Sequence, residues 1–598
     1  MATKPKKTEQ TEEALTLNEE PRKAASRTSR AKAADGEART ELKKRAGAKA
    51  GKAAATQKTA DPAPKTAVKK TARAGQADPG TPEAGAEPVK AEQQPVPTPE
   101  ESLAEEARTL KVLFAVSECQ PFIATGGLGD VAGSLPKALA ADGRCDIRVV
   151  LPLYGDMPWH FREKLKFLCN FSVILGWRQQ YCGVFELEQD HVRYYFVDNE
   201  YYFKRSGLYG HYDDGERFAY FSKAVMEILP RIDFYPDVLH CNDWQTALIP
   251  VYFKVQYQKG DAYRNIKTVF TIHNIEYQGK YSMDILEDLF GISYQYKDLL
   301  EYNGLINLMK GAIQCCDRVT TVSPTYAREI LSPVFSHGLN YILKQNEGKL
   351  IGILNGIDTD SYDPAADPAL FKNYDAESPE GKTVNKTELQ KMLDPAAETA
   401  FSELQKMLFL PQDPEIPMVA VISRLVAHKG IDLIREGVED MLRRRVQLVV
   451  LGKGDAVYEN YFLDLQKSYS EKVRAIIAYN PDTSRKIYAA ADLFLMPSRS
   501  EPCGLSQMIA SRYGAIPVIR ETGGLYDSIR DIGCEGGGNG FTFARYDCGD
   551  MLNRIYAALD LFQNKGEWKK LVERVMRVDF SWSRSAKIYG ELYLELLN

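Results

Sequence analysis

The sequence predicts an α/β protein of two doubly wound domains facing each other across a cleft, preceded by a disordered N-terminal tail. Three observations predict it. Two separate series of short β-branched and aliphatic runs alternate with helix-length stretches. A polar, proline-punctuated segment at roughly 360–415 divides the two series. The length, 598 residues, is too great for one ordinary core.

Residues 1–108 contain no Phe, Tyr, Trp or Ile and are rich in Ala, Lys, Thr, Glu and Pro. Such a segment cannot bury enough apolar area to offset its chain entropy, so it is expected to be a disordered, low-complexity tail. It lacks the apolar region of a secretory signal, and its many acids argue against a plastid or mitochondrial transit peptide. Residues 1–100 carry 20 Lys and Arg against 14 Asp and Glu, a net of +6, which leaves the rest of the chain near −11. Weak polyanion contact by the tail is compatible with this balance, but its alternating blocks of both signs argue against it. With a net charge of −5 overall, the whole chain is not a general polyanion binder, and nucleic acid is not an expected partner.

From Lys111 the texture changes. Val112–Ser117, Ile147–Leu151, Tyr194–Val197, Val238–His240, Thr268–Ile272 and Val319–Val322 read as buried strands. Continuous apolar runs of this length suit a parallel sheet covered on both faces. A second series follows Met418: Val419–Ile422, Leu448–Leu451, Ala475–Ile477, Leu493–Met496, Val518–Ile519 and Phe541–Phe543. The expected organisation is a tail at 1–108, a first domain at 109–358, a hinge and insertion at 359–415, a second domain at 416–578 and a C-terminal helix at 579–598. The insertion holds a short echo, Glu388–Leu393 and Glu403–Leu408, too little for a repeat architecture and expected on surface helices. No stretch approaches the roughly 20 apolar residues of a membrane helix, so no membrane contact is expected. Ten scattered cysteines without metal-finger spacing suit free thiols in a reducing cytoplasm.

Ligands of doubly wound sheets lie beyond the carboxyl ends of the strands, which places the shared ligand between the domains. There the sequence crowds polar residues. The turn Thr125-Gly126-Gly127-Leu128-Gly129-Asp130 precedes a helix, where glycines allow close backbone approach and the helix start favours anions. By itself it is equally well an ordinary strand-to-helix turn. Asn242-Asp243-Trp244 and His273-Asn274 end two further strands, and an Asn355-Gly356 turn is expected to close the first domain. A single buried histidine is usually a satisfied core residue, and no pair here has zinc-like spacing, so no metal is expected. In the second domain, Arg424 and Lys429 stand five apart just past a strand, as suits a pyrophosphate. Glu501 lies in a loop fixed by Pro502 and Gly504, and Thr522-Gly523-Gly524 offers backbone N–H groups.

Taken together and in order from about Lys111 to the C-terminus, these seven motifs closely resemble bacterial glycogen synthases and plant starch synthases. The resemblance implies the GT-B architecture: two Rossmann-like domains, with the last helix crossing back to the first. It implies transfer of glucose from ADP-glucose to the non-reducing end of an α-1,4-glucan such as glycogen, with retention of configuration and no cofactor. The catalytic residues it implies are Glu501 near the anomeric carbon, Arg424 and Lys429 at the diphosphate, and His273. Substrate-binding residues would be Thr125, Gly126, Gly127, Asp130, Asp243, Asn355, Cys503, Gly504, Thr522 and Gly523. Two positions bear on the reading. Ala124 stands where bacterial relatives usually carry a lysine associated with the donor, which leaves UDP-glucose open as an alternative. Ile509 stands where broader glycosyltransferases place a second glutamate, which favours the synthase. A retaining GT-B enzyme with another acceptor and an inactive glucan-binding scaffold are the competing readings.

Overall fold

A computed structural model describes residues 109–392 and 410–598, all within one compact unit. The expected tail and the second copy of the echo at 403–408 lie outside the described residues. The first half is built on a nine-stranded sheet. Its strands are β1 (Leu110–Ala115), β2 (Cys145–Pro152), β3 (Lys166–Leu175), β4 (Arg178–Gln189), β5 (Val192–Asp198), β6 (Val238–Asn242), β7 (Lys267–Ile272), β11 (Arg318–Thr321) and β12 (Leu350–Gly352). They run in the order β12-β11-β7-β6-β1-β2-β5-β4-β3. All neighbours are parallel except in the β3–β4–β5 meander. The meander closes through Asp190 and His191, both left-handed (φ 53° and 61°), as a two-residue hairpin turn requires. Between β7 and β11 lies a small antiparallel sheet of β8 (Lys280–Ser282), β9 (Glu301–Tyr302) and β10 (Leu305–Asn307).

The second half holds a fully parallel six-stranded sheet. Its strands are β13 (Met418–Ile422), β14 (Gln447–Leu451), β15 (Val473–Ile476), β16 (Leu493–Met496), β17 (Ile516–Arg520) and β18 (Phe541–Phe543). Their order, β15-β14-β13-β16-β17-β18, reverses direction between β13 and β16. The first sheet reverses in the same way between β1 and β6. These two switch points are where loops diverge and leave a crevice for ligand. All twelve strands expected from the sequence are present.

Six helices matter for the site: α1 (Gly127–Ala141), α2 (Pro324–Glu329), α3 (Gly381–Met392), α4 (Ile431–Leu442), α5 (Gly523–Ser528) and α6 (Trp582–Leu597). No helix among the described residues is long and apolar enough to cross a membrane. The C-terminal helix α6 returns to the first half. Its Trp582, Ala586, Tyr589, Tyr593 and Leu596 share a core with Val112, Phe114, Leu128 and Leu135. Within that core His240 is satisfied at both nitrogens, Nδ1 with Tyr593 Oη at 2.7 Å and Nε2 with Thr271 Oγ1 at 2.6 Å. Burial pushes its pKa down to about 3, so the ring is neutral.

Two expectations need correction. The chain at 355–356 makes no turn; it runs straight beside the start of α6. Gly356 is required by that approach, since a Cβ there would sit 2.7 Å from Ser581 C and Trp582 N. Ile357 N donates to Phe580 O at 2.8 Å, so the two chain crossings between the halves lie side by side. The first copy of the echo is also not on a surface helix. In α3, Leu389 and Gln390 are buried, and Lys386 forms a buried ion pair with Asp492. Lys382 donates to Ala489 O (2.9 Å) and Tyr513 O (2.8 Å), and burial holds its pKa down to about 7. Polar side chains with buried backbone partners let a weakly apolar helix dock, a pattern that hydrophobic periodicity does not register.

Candidate active site

The first wall is built where β1 ends. Glu118, almost fully buried, accepts hydrogen bonds from Thr125 N (2.9 Å), Thr125 Oγ1 (2.6 Å) and Gly129 N (3.1 Å). The Thr125 hydroxyl is thus spent on the turn's own brace, while Gly126 and Gly127 lie exposed. A Cβ at Gly129 would meet Ala124 Cβ at 2.3 Å, so glycine is needed there to close the turn. Asp130 opens α1. Burial, with Glu118 and Asp358 nearby, pushes its pKa up to about 6.

The second switch-point strand, β6, ends in Asn242 and Asp243. Asn242 Nδ2 donates to Ala115 O (3.0 Å), so its Oδ1 must accept from His273 Nε2 (2.9 Å). His273 therefore carries its proton on Nε2 and offers Nδ1 as an acceptor. Burial pushes its pKa down to about 3, so it acts as a neutral hydrogen-bonding group, not as an acid. Asp243 is held at φ 56°, an uncommon conformation for a side-chain-bearing residue. Its Oδ1 accepts from His273 N at 2.7 Å, and burial raises its pKa to about 7.

The second wall follows β13 and β16. Gly430 (φ 77°) starts α4, and a Cβ there would meet Pro497 O at 2.1 Å. That approach, with Arg499 N donating to His428 O (2.9 Å), locks the two loops together. As a result Lys429 Nζ reaches both Glu501 oxygens, Oε1 at 2.8 Å and Oε2 at 2.7 Å. Ser498 Oγ adds a bond to Oε2 at 3.0 Å. Arg424 is exposed, and among the described residues its guanidinium makes no hydrogen bond or ion pair. Cys503 is buried, and burial pushes its thiol up to about 12, a rise that the nearby Asn355 backbone N–H offsets only in part. Gly504 (φ 71°) lies close to Leu525, whose Cδ2 would be 3.0 Å from an added Cβ. Thr522 caps α5, and Gly523 (φ 45°) leaves no room for a Cβ, which would stand 1.9 Å from Glu501 O.

The two walls meet. A Cβ on Gly127 would be 3.8 Å from Leu505 Cδ1, and Asn355 reaches Cys503 from the opposite half. The structure thus brings the glycine turn, Asp130, Asp243, His273 and Asn355 to one side and Arg424, Lys429, Glu501, Cys503, Gly504, Thr522 and Gly523 to the other. Sequence reasoning passed over three residues here and gave Asn242, named within a strand-end motif, no role of its own. Glu118 stands just past β1 and acts on the turn 7 to 11 residues on. Glu329, on α2, accepts from Thr522 Oγ1 and Gly523 N across the divide. Tyr479 stands 86% exposed three residues past β15, also at a strand's carboxyl end. One signal was available: Thr-Gly-Gly-Leu-x-Asp occurs twice, at 125–130 and 522–527, and in each copy a glutamate carboxylate holds the threonine hydroxyl.

Comparison with known proteins agrees with this geometry. Residues 111–345 match the family model described as starch synthase catalytic domain, and residues 406–570 match glycosyl transferases group 1. The glycogen synthase of Clostridium perfringens is 48% identical over 82% of this chain and 100% of its own length. That of Lactobacillus acidophilus is 47% identical over the same shares. Among solved structures, the catalytic domain of starch synthase IV from Arabidopsis thaliana, bound to ADP and acarbose, superposes with a TM-score of 0.73 at 35% identity. It covers 82% of this chain and 100% of that one. Sucrose-phosphate synthase from Thermosynechococcus elongatus, at 16% identity and a TM-score of 0.52 over 82% of this chain and 99% of its own, shares the fold. With both Rossmann-like halves matched and relatives covered over their full length, the chain belongs to the glycogen synthase and starch synthase family of glycosyltransferases.

Proposed function

We propose that the protein transfers glucose from ADP-glucose to the non-reducing end of an α-1,4-glucan, with retention at the anomeric carbon and without a metal. The observation that carries this reading is the arrangement of charge at the second switch point. Among the described residues the exposed Arg424 guanidinium makes no hydrogen bond or ion pair, and the Lys429 ammonium is paired with Glu501 alone. A diphosphate entering the crevice supplies the anion that both cations lack. Arg424 grips phosphate oxygens in a planar fork, and Lys429 exchanges its carboxylate partner for phosphate. The two cations then stabilise the charge that develops on the leaving diphosphate. Glu501, released from Lys429 and still held by Ser498, faces the glucosyl carbon with its charge available. His273, neutral and with Nδ1 free to accept, and Asn355 offer hydrogen-bonding groups for sugar hydroxyls. The exposed Gly126-Gly127 backbone admits the sugar closely. An exposed Tyr479 ring suits stacking of a nucleotide base. The starch synthase relative solved with ADP supports an adenine donor. Ten unpaired cysteines support a reducing, cytoplasmic setting.

Incubating the purified protein with glycogen and either labelled ADP-glucose or labelled UDP-glucose tests the reading. Label should enter polymer from ADP-glucose at least tenfold faster, and Glu501→Ala should cut that rate at least 100-fold while circular dichroism stays unchanged. Preference for UDP-glucose would overturn the donor assignment, and no labelling from either donor would overturn the synthase reading.

A further inference from the structure

One short segment of the first half reaches into the second. Ser323 Oγ donates to Pro502 O at 2.7 Å. Thr325 bonds Asp527 twice, N to Oδ2 at 2.7 Å and Oγ1 to Oδ1 at 2.6 Å. At the far end of α2, Glu329 Oε1 accepts from Thr522 Oγ1 at 2.9 Å and from Gly523 N at 3.0 Å. Every partner belongs to the Glu501 loop or to the Thr522 turn and the helix α5 that it opens. Pro502 follows it directly, Gly524 N donates to Glu501 O at 3.2 Å, and Gly523 packs against that same carbonyl. The place of Glu501 relative to the first half is therefore set through α2.

Glu329 repeats for the second glycine turn what Glu118 does for the first. The difference is that Glu118 braces a turn of its own half and Glu329 braces a turn of the other. Its second oxygen, Oε2, is buried and has no hydrogen-bond partner among the described residues, so the hydrogen bonding seen there runs through Oε1. Burial raises its pKa, with Arg520 close by favouring the ionised form and Asp527 opposing it.

We propose that Glu329 is a positioning residue for glucosyl transfer: its carboxylate fixes the Thr522–Gly523 turn, and through it Glu501, against the first wall of the cleft. It touches neither sugar nor diphosphate. The proposal rests on Glu501 being the acid beside the glucosyl carbon. A displacement of about 1 Å in a reacting group can cost on the order of 100-fold in rate. Glu329→Ala should therefore lower kcat by about 10- to 100-fold while the donor KM changes less than threefold. Glu329→Gln, whose amide oxygen can accept the same two bonds, should return kcat to within threefold of the parent. Amide hydrogen exchange over residues 521–526 should quicken in Glu329→Ala and stay at the parent rate in Glu329→Gln. A kcat for Glu329→Ala within twofold of the parent overturns the proposal. So does equal impairment of the Ala and Gln variants, or a rise in KM that accounts for the loss. If Glu329→Ala does not fold, Thr522→Val, which removes one of the two donors, should show the same kcat-selective loss, and an unchanged kcat in it overturns the proposal. The exchange measurement needs no activity. A parent inactive with either donor would sink the functional reading, while unchanged exchange in Glu329→Ala would sink the brace.

Discussion

Asp243 shows how a single residue joins strain, charge and pH. Its left-handed backbone turns the carboxylate onto the amides of His273 and Asn274, and burial raises its pKa to about 7, with Glu118 adding to the rise. An unfolded aspartate titrates near 3.9. Between about pH 4 and pH 7 the folded protein therefore holds a proton that the unfolded chain has released. The carboxyl's contribution to stability is present below pH 4 and is lost as pH rises to 7, at up to about 1.4 kcal/mol per pH unit. Asp130, raised to about 6, acts in the same direction. Asp243→Asn keeps the size and shape of the side chain and removes the titration. In urea unfolding at pH 5, 6, 7 and 8, the variant should show a flatter dependence than the parent; parallel curves would contradict the assignment. At this scale the sequence was informative where chemistry sits in a strand-end motif, as for Arg424, Lys429, Glu501 and Asp243. It was silent on Glu329, whose neighbours Arg328 and Ile330 give no hint of a partner 193 residues away.

Among elements, legibility followed the kind of burial. Strands covered on both faces, such as β14 with Gln447–Leu451 all buried, read as apolar runs and were found. The edge strand β3 and its neighbour β4 mix exposed and buried positions, with Arg178-Gln179-Gln180-Tyr181 opening β4, and no continuous run marks them. The helix α3 was misjudged because its buried positions include Lys382, Asn385 and Lys386, which meet buried backbone and acidic partners instead of an apolar face. The helix α6 was legible as amphipathic, but its anchoring hydrogen bond was not. Tyr593→Phe keeps the ring and removes the bond to His240 Nδ1, leaving a buried ring nitrogen without its partner. That should cost about 1–3 kcal/mol, seen as an earlier urea transition and faster proteolysis of the C-terminal helix. An unchanged transition would show that packing alone seats α6.

For the whole molecule, the division into two doubly wound halves was legible because the alternation of strand and helix recurs twice with a polar break between. The side-by-side crossings at Ile357 and Phe580 were not, because only the folded chain brings the end of one half against the start of the last helix. The family match begins at residue 111, and the described core begins at Leu110. Removal of residues 1–108 should accordingly leave kcat for glucan elongation within about twofold of the full chain. A larger loss in the same radiolabel assay would assign the N-terminal segment a part in turnover.

The return of α6 has a consequence for synthesis on the ribosome. Chains emerge at about 5–20 residues per second, and domains ordinarily fold in the order they appear. Here the core of the first half includes Trp582, Tyr589, Tyr593 and Leu596, and the hydrogen-bonding of His240 is completed by Tyr593, which follows the whole second half in sequence. The half translated first is therefore the one finished last. A nascent chain released before α6 is made carries an open apolar flank along β1 and α1, whatever state the second half has reached.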